Sequence, residues 1–120
     1  MYKAILVASG GAVGSVLRWY VGVMASKFYY SFPYHTLIVN VVGSLLMGMG
    51  VAWLFKNQSS DDLRLLLLTG FCGGFTTFSA FSIEGLQLIQ TQQYTTFALY
   101  IAATLLLGGL AVFLGYNLLS

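Results

Sequence analysis

Apolar residues run through this sequence in four long stretches, and the charged positions mark where each can end. Lys3 precedes residues 4–17, which carry no charge; Arg18 interrupts, and residues 19–26 continue the run. Residues 28–55 contain no Lys, Arg, Asp or Glu. The first part of that stretch, 28–35, is aromatic and holds the only proline, Pro33, so it reads as a connector at headgroup level, where Tyr is favoured. Residues 56–64 form the one clearly polar loop, and Ser60 with Asp61 and Asp62 can cap the helix that follows. A last polar turn falls at residues 90–93. Crossing a bilayer takes about 20 apolar residues in a helix. The pattern therefore predicts one transmembrane domain of four spans, near 4–26, 36–55, 65–90 and 95–118. Open sheets cannot cross lipid and four segments are too few for a barrel, so the predicted fold class is all-α.

Composition sharpens this picture. Of 120 residues, 58% are hydrophobic and 7% are charged, against about 25% charged in a soluble domain. Five basic and three acidic side chains cannot dress a water-facing surface. Disorder is excluded by a mean hydropathy of +0.85 and 16% aromatics. Four spans consume about 80 residues at the lengths given above, leaving no room for a soluble domain. One Cys, Cys72, and one His, His35, exclude an intrachain disulfide and a Cys/His zinc cluster. A net charge of +2, scattered along the chain, does not suggest a nucleic-acid partner. Residues 3–25 resemble a cleaved signal peptide only weakly, because Arg18 sits badly in such a segment and the rest of the chain is equally apolar.

Charge placement leaves orientation open. Four spans put Lys3, Lys56 and Arg64 on one side and Lys27 on the other, with Arg18 near Lys27. The positive-inside bias is almost nil. Such a chain can insert both ways, and two copies could then pair antiparallel; a weak bias that still fixes one orientation is the alternative.

Several polar residues should not stand free in lipid. Asn40 lies early in span two, where a buried amide must find partners. It either glues helices together or turns two N–H donors toward an anion in a pore. Arg18 is either a helix-end anchor that snorkels or a positive charge at a pore mouth. Gly10–Gly14, Gly11–Ser15, Ser44–Gly48, Gly70–Gly74 and Ala111–Gly115 are small-xxx-small pairs, a signal of close helix packing that says nothing about substrate.

The informative segment is residues 69–82. Gly70, Gly73 and Gly74 are followed by Thr76 and Thr77, which makes a poor uninterrupted helix. The expectation is a break in span three, tolerated at membrane depth only where it is buried in protein or lines a cavity. The carbonyls it frees can coordinate a small hard cation such as Na⁺. Two tracks at spacing three follow: Phe75, Phe78 and Phe81, and beside them Thr76, Ser79 and Ser82; if the helix resumes near Thr77, the later members of each share a face. Phenylalanines at such spacing are by default core or lipid-facing, and beside hydroxyls in an interrupted helix they permit a second use. Ring edges carry positive potential, and hydroxyls and amides replace lost water, so together they can pass a strongly hydrated small anion without trapping it. Glu84 follows near the end of this span and reads as interfacial. In span four, Tyr100 and Thr104 share a face at i,i+4 and either satisfy each other and nearby backbone or extend the hydroxyl lining.

The motifs Gly10-Gly-Ala-Val-Gly-Ser-Val-Leu-Arg18-Trp-Tyr, Thr36-Leu-Ile-Val-Asn40-Val-Val-Gly-Ser and Gly70-Phe-Cys-Gly-Gly-Phe-Thr-Thr-Phe-Ser-Ala-Phe81, in this order over nearly the whole chain, resemble the Fluc family of fluoride channels, also called CrcB. The resemblance implies an antiparallel, dual-topology homodimer in the bacterial cell (inner) membrane. Two pores would run along the subunit interface and export fluoride passively, reducing its toxicity in the cytoplasm. It implies a structural Na⁺ at the dimer centre, held by backbone carbonyls that fall on Gly73 and Thr76. The family's phenylalanine box falls on Phe78 and Phe81, its pore asparagine on Asn40 and its span-one arginine on Arg18. Its span-four polar residues fall on Tyr100 and Thr104, and Ser79, Ser82 and Glu84 match its polar track toward a vestibule. Ala80 departs from the pattern, since Thr is common there. A small multidrug or guanidinium exporter is the competing reading; it needs an embedded Glu in span one, where this chain has Arg18 instead. A noncatalytic assembly subunit held by its glycine faces is a third. With Arg18, Glu84, Cys72 and tyrosines as the titratable inventory of the spans, an enzyme is not expected.

Overall fold

The structure, a computed structural model, describes residues 1–27 and 32–120. Among them every regular element is helical. Helix α1 is Tyr2–Ala25 and α2 is Tyr34–Lys56. Span three is two half-helices: α3, residues 61–75, and α4, Phe78–Gln90. Helix α5 is Tyr94–Leu119. Four stretches, Tyr2–Ala25, Tyr34–Lys56, Asp61–Gln90 and Tyr94–Leu119, are long and apolar enough to cross a membrane. The longest dimension, 48 Å, is that of a bilayer with its headgroup layers, about 40–45 Å.

Local chemistry explains where the helices differ from expectation. Span three starts at Asp61 rather than Leu65, because the capping turn is itself helical: Ser60 Oγ accepts from the Leu63 N–H at 3.4 Å, with Asp61 and Asp62 in the first turn. Span two starts at Tyr34 with Pro33 as its N-cap, so Tyr34 and His35 belong to a helix and not to the predicted connector; residues 28–31 of that connector lie outside the described residues. The turns after α2 and α4 share one design. Gln58 and Gln92 adopt φ of 49° and 60°, and the following N–H groups reach back, Ser59 to the Leu54 carbonyl at 2.9 Å and Gln93 to the Leu88 carbonyl at 2.8 Å. This is the left-handed helix ending usually given to glycine. Residues 65–72 form a π-helical stretch that no sequence feature announced.

Glycines set the helix pairing. Helix α1 lies against α3, with Gly10 on the backbone of Leu66 and Phe71, Gly14 on that of Phe71 and Phe75, and Gly74 on that of Gly11. Helix α2 lies against α5, with Gly48 on the backbone of Val112 and Tyr116, and Gly115 on that of Leu45 and Met49. The small-xxx-small pairs are thus contact seams in which backbone meets backbone. Leu37, Leu88 and the fully buried Tyr100 form a small core that ties α2, α4 and α5 together, with Phe81 and Phe97 packed on it. Large apolar side chains such as Val16, Trp19, Leu106 and Phe113 point outward, as a lipid-facing or chain-facing surface requires.

Candidate ion pathway

The break falls on Thr76 and Thr77, which are extended (ψ 157° and 118°) between two helical segments. Its polar backbone is met by side chains from two other spans. Asn40 of α2 clamps Thr77 from both ends: its Oδ1 accepts from the Thr77 N–H at 2.8 Å and its Nδ2 donates to the Thr77 carbonyl at 3.0 Å. Arg18 of α1 donates through Nε to the Gly74 carbonyl at 3.0 Å, where the negative end of α3 favours a cation. Thr77 caps α4 by accepting from the Ala80 N–H at 3.1 Å, and Thr76 Oγ1 folds back onto the Cys72 carbonyl at 2.9 Å.

These bonds divert donors from particular carbonyls. In an unbroken helix the Thr77 N–H would serve the Gly73 carbonyl and the Ala80 N–H that of Thr76. The first goes to Asn40 and the second to the Thr77 hydroxyl. Gly73, Gly74, Phe75 and Thr76 all lose their helical donors at the break; Arg18 takes up the Gly74 carbonyl, and Gly73 is exposed. Among the described residues no cluster of three His, Cys, Asp or Glu could hold a metal ion. A cation at the break would rest on carbonyl oxygens, the hard neutral donors that suit an alkali ion.

Beside the break lies a cavity of about 340 Å³, lined in part by Asn40, Ser44, Thr77, Phe78, Phe81 and Thr104. The Phe78 and Phe81 rings are 5.8 Å apart and tilted by 44°, and Phe81 leans on Tyr100 at 5.0 Å. Phe78 stands 78% exposed on the single chain. Thr104 Oγ1 is buried and has no hydrogen-bond partner among the described residues. No formal charge is among the lining residues.

The helix resumes at Phe78, and the later members of each track stay together: Phe78 with Phe81, and Ser79 with Ser82. The break separates Phe75 from the others; it is buried in α3 and stacks on Phe71 at 5.9 Å. Ser79 and Ser82 lie on the exposed face of α4, away from the cavity that Phe81 lines. A spacing of three is not a full helical turn, and half a turn of extended chain at Thr76–Thr77 resets the phase.

Glu84 is built in more firmly than an interfacial residue. Thr36 Oγ1 donates to its Oε1 at 2.6 Å and the Tyr100 hydroxyl to its Oε2 at 2.9 Å. His35 Nε2 lies 3.3 Å from Thr36 Oγ1 and 3.9 Å from Glu84 Oε1. Tyr100 and Thr104 do not satisfy each other: the Tyr100 hydroxyl goes to Glu84, and Thr104 is among the residues around the cavity. A second cavity of about 310 Å³ is lined by both Arg18 and His35, together with Thr36 and Thr77. Sequence reasoning missed Thr36 and His35. The signal for Thr36 was its place at i,i+4 before Asn40, with Ser44 one turn later, a polar stripe along an otherwise apolar helix.

The model of the family described as CrcB-like protein, Camphor Resistance (CrcB), matches residues 5–116. Three relatives carry the name fluoride-specific ion channel FluC. That of Rhizobium johnstonii is 49% identical over 117 residues, covering 96% of this chain and 94% of the relative. That of Azobacteroides pseudotrichonymphae is 44% identical over 118 residues, covering 97% and 94%. That of Caulobacter vibrioides is 48% identical over 118 residues, covering 96% and 93%.

Proposed function

The chain belongs to the CrcB-like family, and from that premise we propose that it is a fluoride-specific ion channel, a multi-pass membrane protein that conducts its ion passively and performs no chemical step on it. The observation that carries the reading is the cavity of Asn40, Thr104, Phe78 and Phe81, which offers amide, hydroxyl and ring-edge donors and no formal charge. The N-terminus of α4 opens on the same place, and a helix N-terminus favours anions. Fluoride sheds a tight water shell only where several weak donors replace it, and leaves only where none holds it hard. Asn40, Phe78, Phe81 and Thr104 are assigned to the pathway, with the buried Tyr100 supporting Phe81 from behind; Ser79 and Ser82 lie on the exposed face of α4, and Arg18 and Glu84, which line the two neighbouring cavities, are assigned to its ends.

The working unit is assigned as an antiparallel homodimer with two pores, in the bacterial inner membrane and directed toward fluoride export. All-helical spans suit that bilayer, since outer-membrane proteins are closed barrels. The near balance of basic residues between the two ends supports insertion in both orientations. An exposed Gly73 and an exposed Phe78 beside the cavity that Asn40 and Thr77 line support a second copy covering that face. The released carbonyls of Gly73 and Thr76 fit a structural Na⁺ there, whose contribution would be to hold the two copies' break carbonyls together.

Purified protein in liposomes is expected to release fluoride rapidly and to exclude chloride, read with ion-selective electrodes. A fluoride trace no faster than that of empty liposomes refutes the channel. Exchanging Na⁺ for a large organic cation on both sides should bring the flux close to background. Full flux in the Na⁺-free sample would remove the ion from Gly73 and Thr76 and leave the channel reading standing.

A further inference from the structure

The cluster around Glu84 contains a titratable group that the conduction path does not use. His35 is the only histidine in the chain. Its side chain is 42% exposed and lines two cavities, one of about 310 Å³ shared with Arg18 and one of about 480 Å³ shared with Glu84. The hydrogen bonds around it decide its tautomer. Thr36 has one hydroxyl hydrogen, and at 2.6 Å that hydrogen goes to the Glu84 carboxylate. Thr36 Oγ1 can then only accept from His35, 3.3 Å away. His35 therefore carries a hydrogen on Nε2, and its Nδ1 is where a further proton would bind. The donor ring atom already faces the carboxylate, with Nε2 3.9 Å from Oε1.

We propose that His35 sets the charge seen by an anion at the Glu84 end of the pathway, so that protonating His35 raises anion entry; this rests on the channel reading above. With His35 neutral, Glu84 is a carboxylate whose partners, Thr36 and Tyr100, are uncharged, and it repels an incoming anion. With His35 protonated, the carboxylate sits in an ion pair and the repulsion falls. The groups that face this pair come from every element packed around it. Helix α1, whose Gly22 abuts the imidazole, supplies Arg18 in the shared cavity. Helix α2 supplies Tyr34 beside it, α4 supplies Glu84, and α5 supplies Tyr100. Arg18 stays charged throughout, and a histidine is the side chain whose ordinary range puts its change between about pH 5 and 8. The sign follows: flux rises as pH falls through that range.

The test uses the whole protein in liposomes with equal pH on both sides, stepped from about pH 8 to about pH 6 across the histidine range. Protein-free vesicles at each pH account for neutral hydrogen fluoride crossing lipid unaided. Wild-type fluoride flux should rise about three- to tenfold, the lower end of what local charge does to encounter rates. His35→Gln should give a flat profile. A flat wild-type profile, or a rise in His35→Gln equal to that of wild type, overturns the inference while the channel stands. No flux above empty vesicles at any pH overturns the channel reading and this inference with it. A second measurement does not depend on flux. As the only histidine, His35 gives one set of imidazole NMR signals, and their positions should move in Glu84→Gln, where the carboxylate facing Nε2 is gone. Unmoved signals overturn the contact.

Discussion

Replacing Asn40 with Leu should reduce fluoride flux by about two orders of magnitude and weaken the fold as well. Leucine fills a similar volume but presents no polar atom to Thr77. The Thr77 N–H and carbonyl, now bonded at 2.8 and 3.0 Å, would both lose their partner inside the protein. Each buried group left unsatisfied costs about 1–3 kcal/mol. Two of them at the break exceed the 1.4 kcal/mol that corresponds to a factor of ten. The break must then close toward helix or open to lipid, and either change removes the cavity that Thr77 helps to line. Asn40→Asp separates splint from pathway. It keeps an acceptor for the Thr77 N–H but sets an oxygen against the Thr77 carbonyl and adds a charge that repels the ion. It should fold better than Asn40→Leu and conduct no better. Wild-type flux in Asn40→Leu would reduce the clamp to a packing detail.

The second large effect concerns folding. A side chain at Gly14 would collide with the backbone of Phe71 and Phe75, and one at Gly10 with that of Leu66 and Phe71. Backbone cannot rotate away as a side chain can, so α1 must lift off α3. Overpacking costs about 1–3 kcal/mol at a site and sometimes more, and here two sites lie on one seam. Gly10→Val with Gly14→Val should abolish monodisperse protein in detergent. Gly14→Ala alone should lower the melting midpoint by roughly 10 °C, given about 4–8 °C per kcal/mol in small domains. Gly109→Ala is the control: nothing lies within 4 Å of where its Cβ would stand. Alanine there should hold or slightly raise the midpoint, since it favours helix by about 1 kcal/mol. Equal melting of Gly14→Ala and Gly109→Ala would overturn the assignment of the α1–α3 seam.

Much of this architecture is written locally. Lys3, Lys56 to Arg64 and the glutamines at 90–93 punctuate four apolar runs, and Gly70 to Thr77 carries a break that needs no tertiary information to suspect. The small-residue pairs mark seams because a missing Cβ has no other common use in lipid. What was illegible depends on distance in sequence or on phase. Asn40 and Thr77 are 37 residues apart, and nothing local tells that an amide in one span will bracket a peptide unit in another. That Ser79 and Ser82 share a face follows from a helix resuming near Thr77, but which way that face turns depends on the extended residues before it. Glu84 looked interfacial because its partners, Thr36 and Tyr100, come from the spans before and after it.

The two side chains that hold the break, Arg18 and Asn40, both precede it in the chain. A polypeptide made from its N-terminus emerges in that order, with domains and segments able to settle as they appear. Helices α1 and α2, each complete in its own backbone bonds, therefore enter the bilayer before the span whose N–H and carbonyl groups need outside partners. An interrupted helix arriving alone would meet hydrocarbon with several of those groups bare, at several kcal/mol each. Here it arrives beside a guanidinium and an amide already waiting at its depth. Synthesis order can thus help an irregular segment enter a membrane, because the side chains that satisfy it are made first.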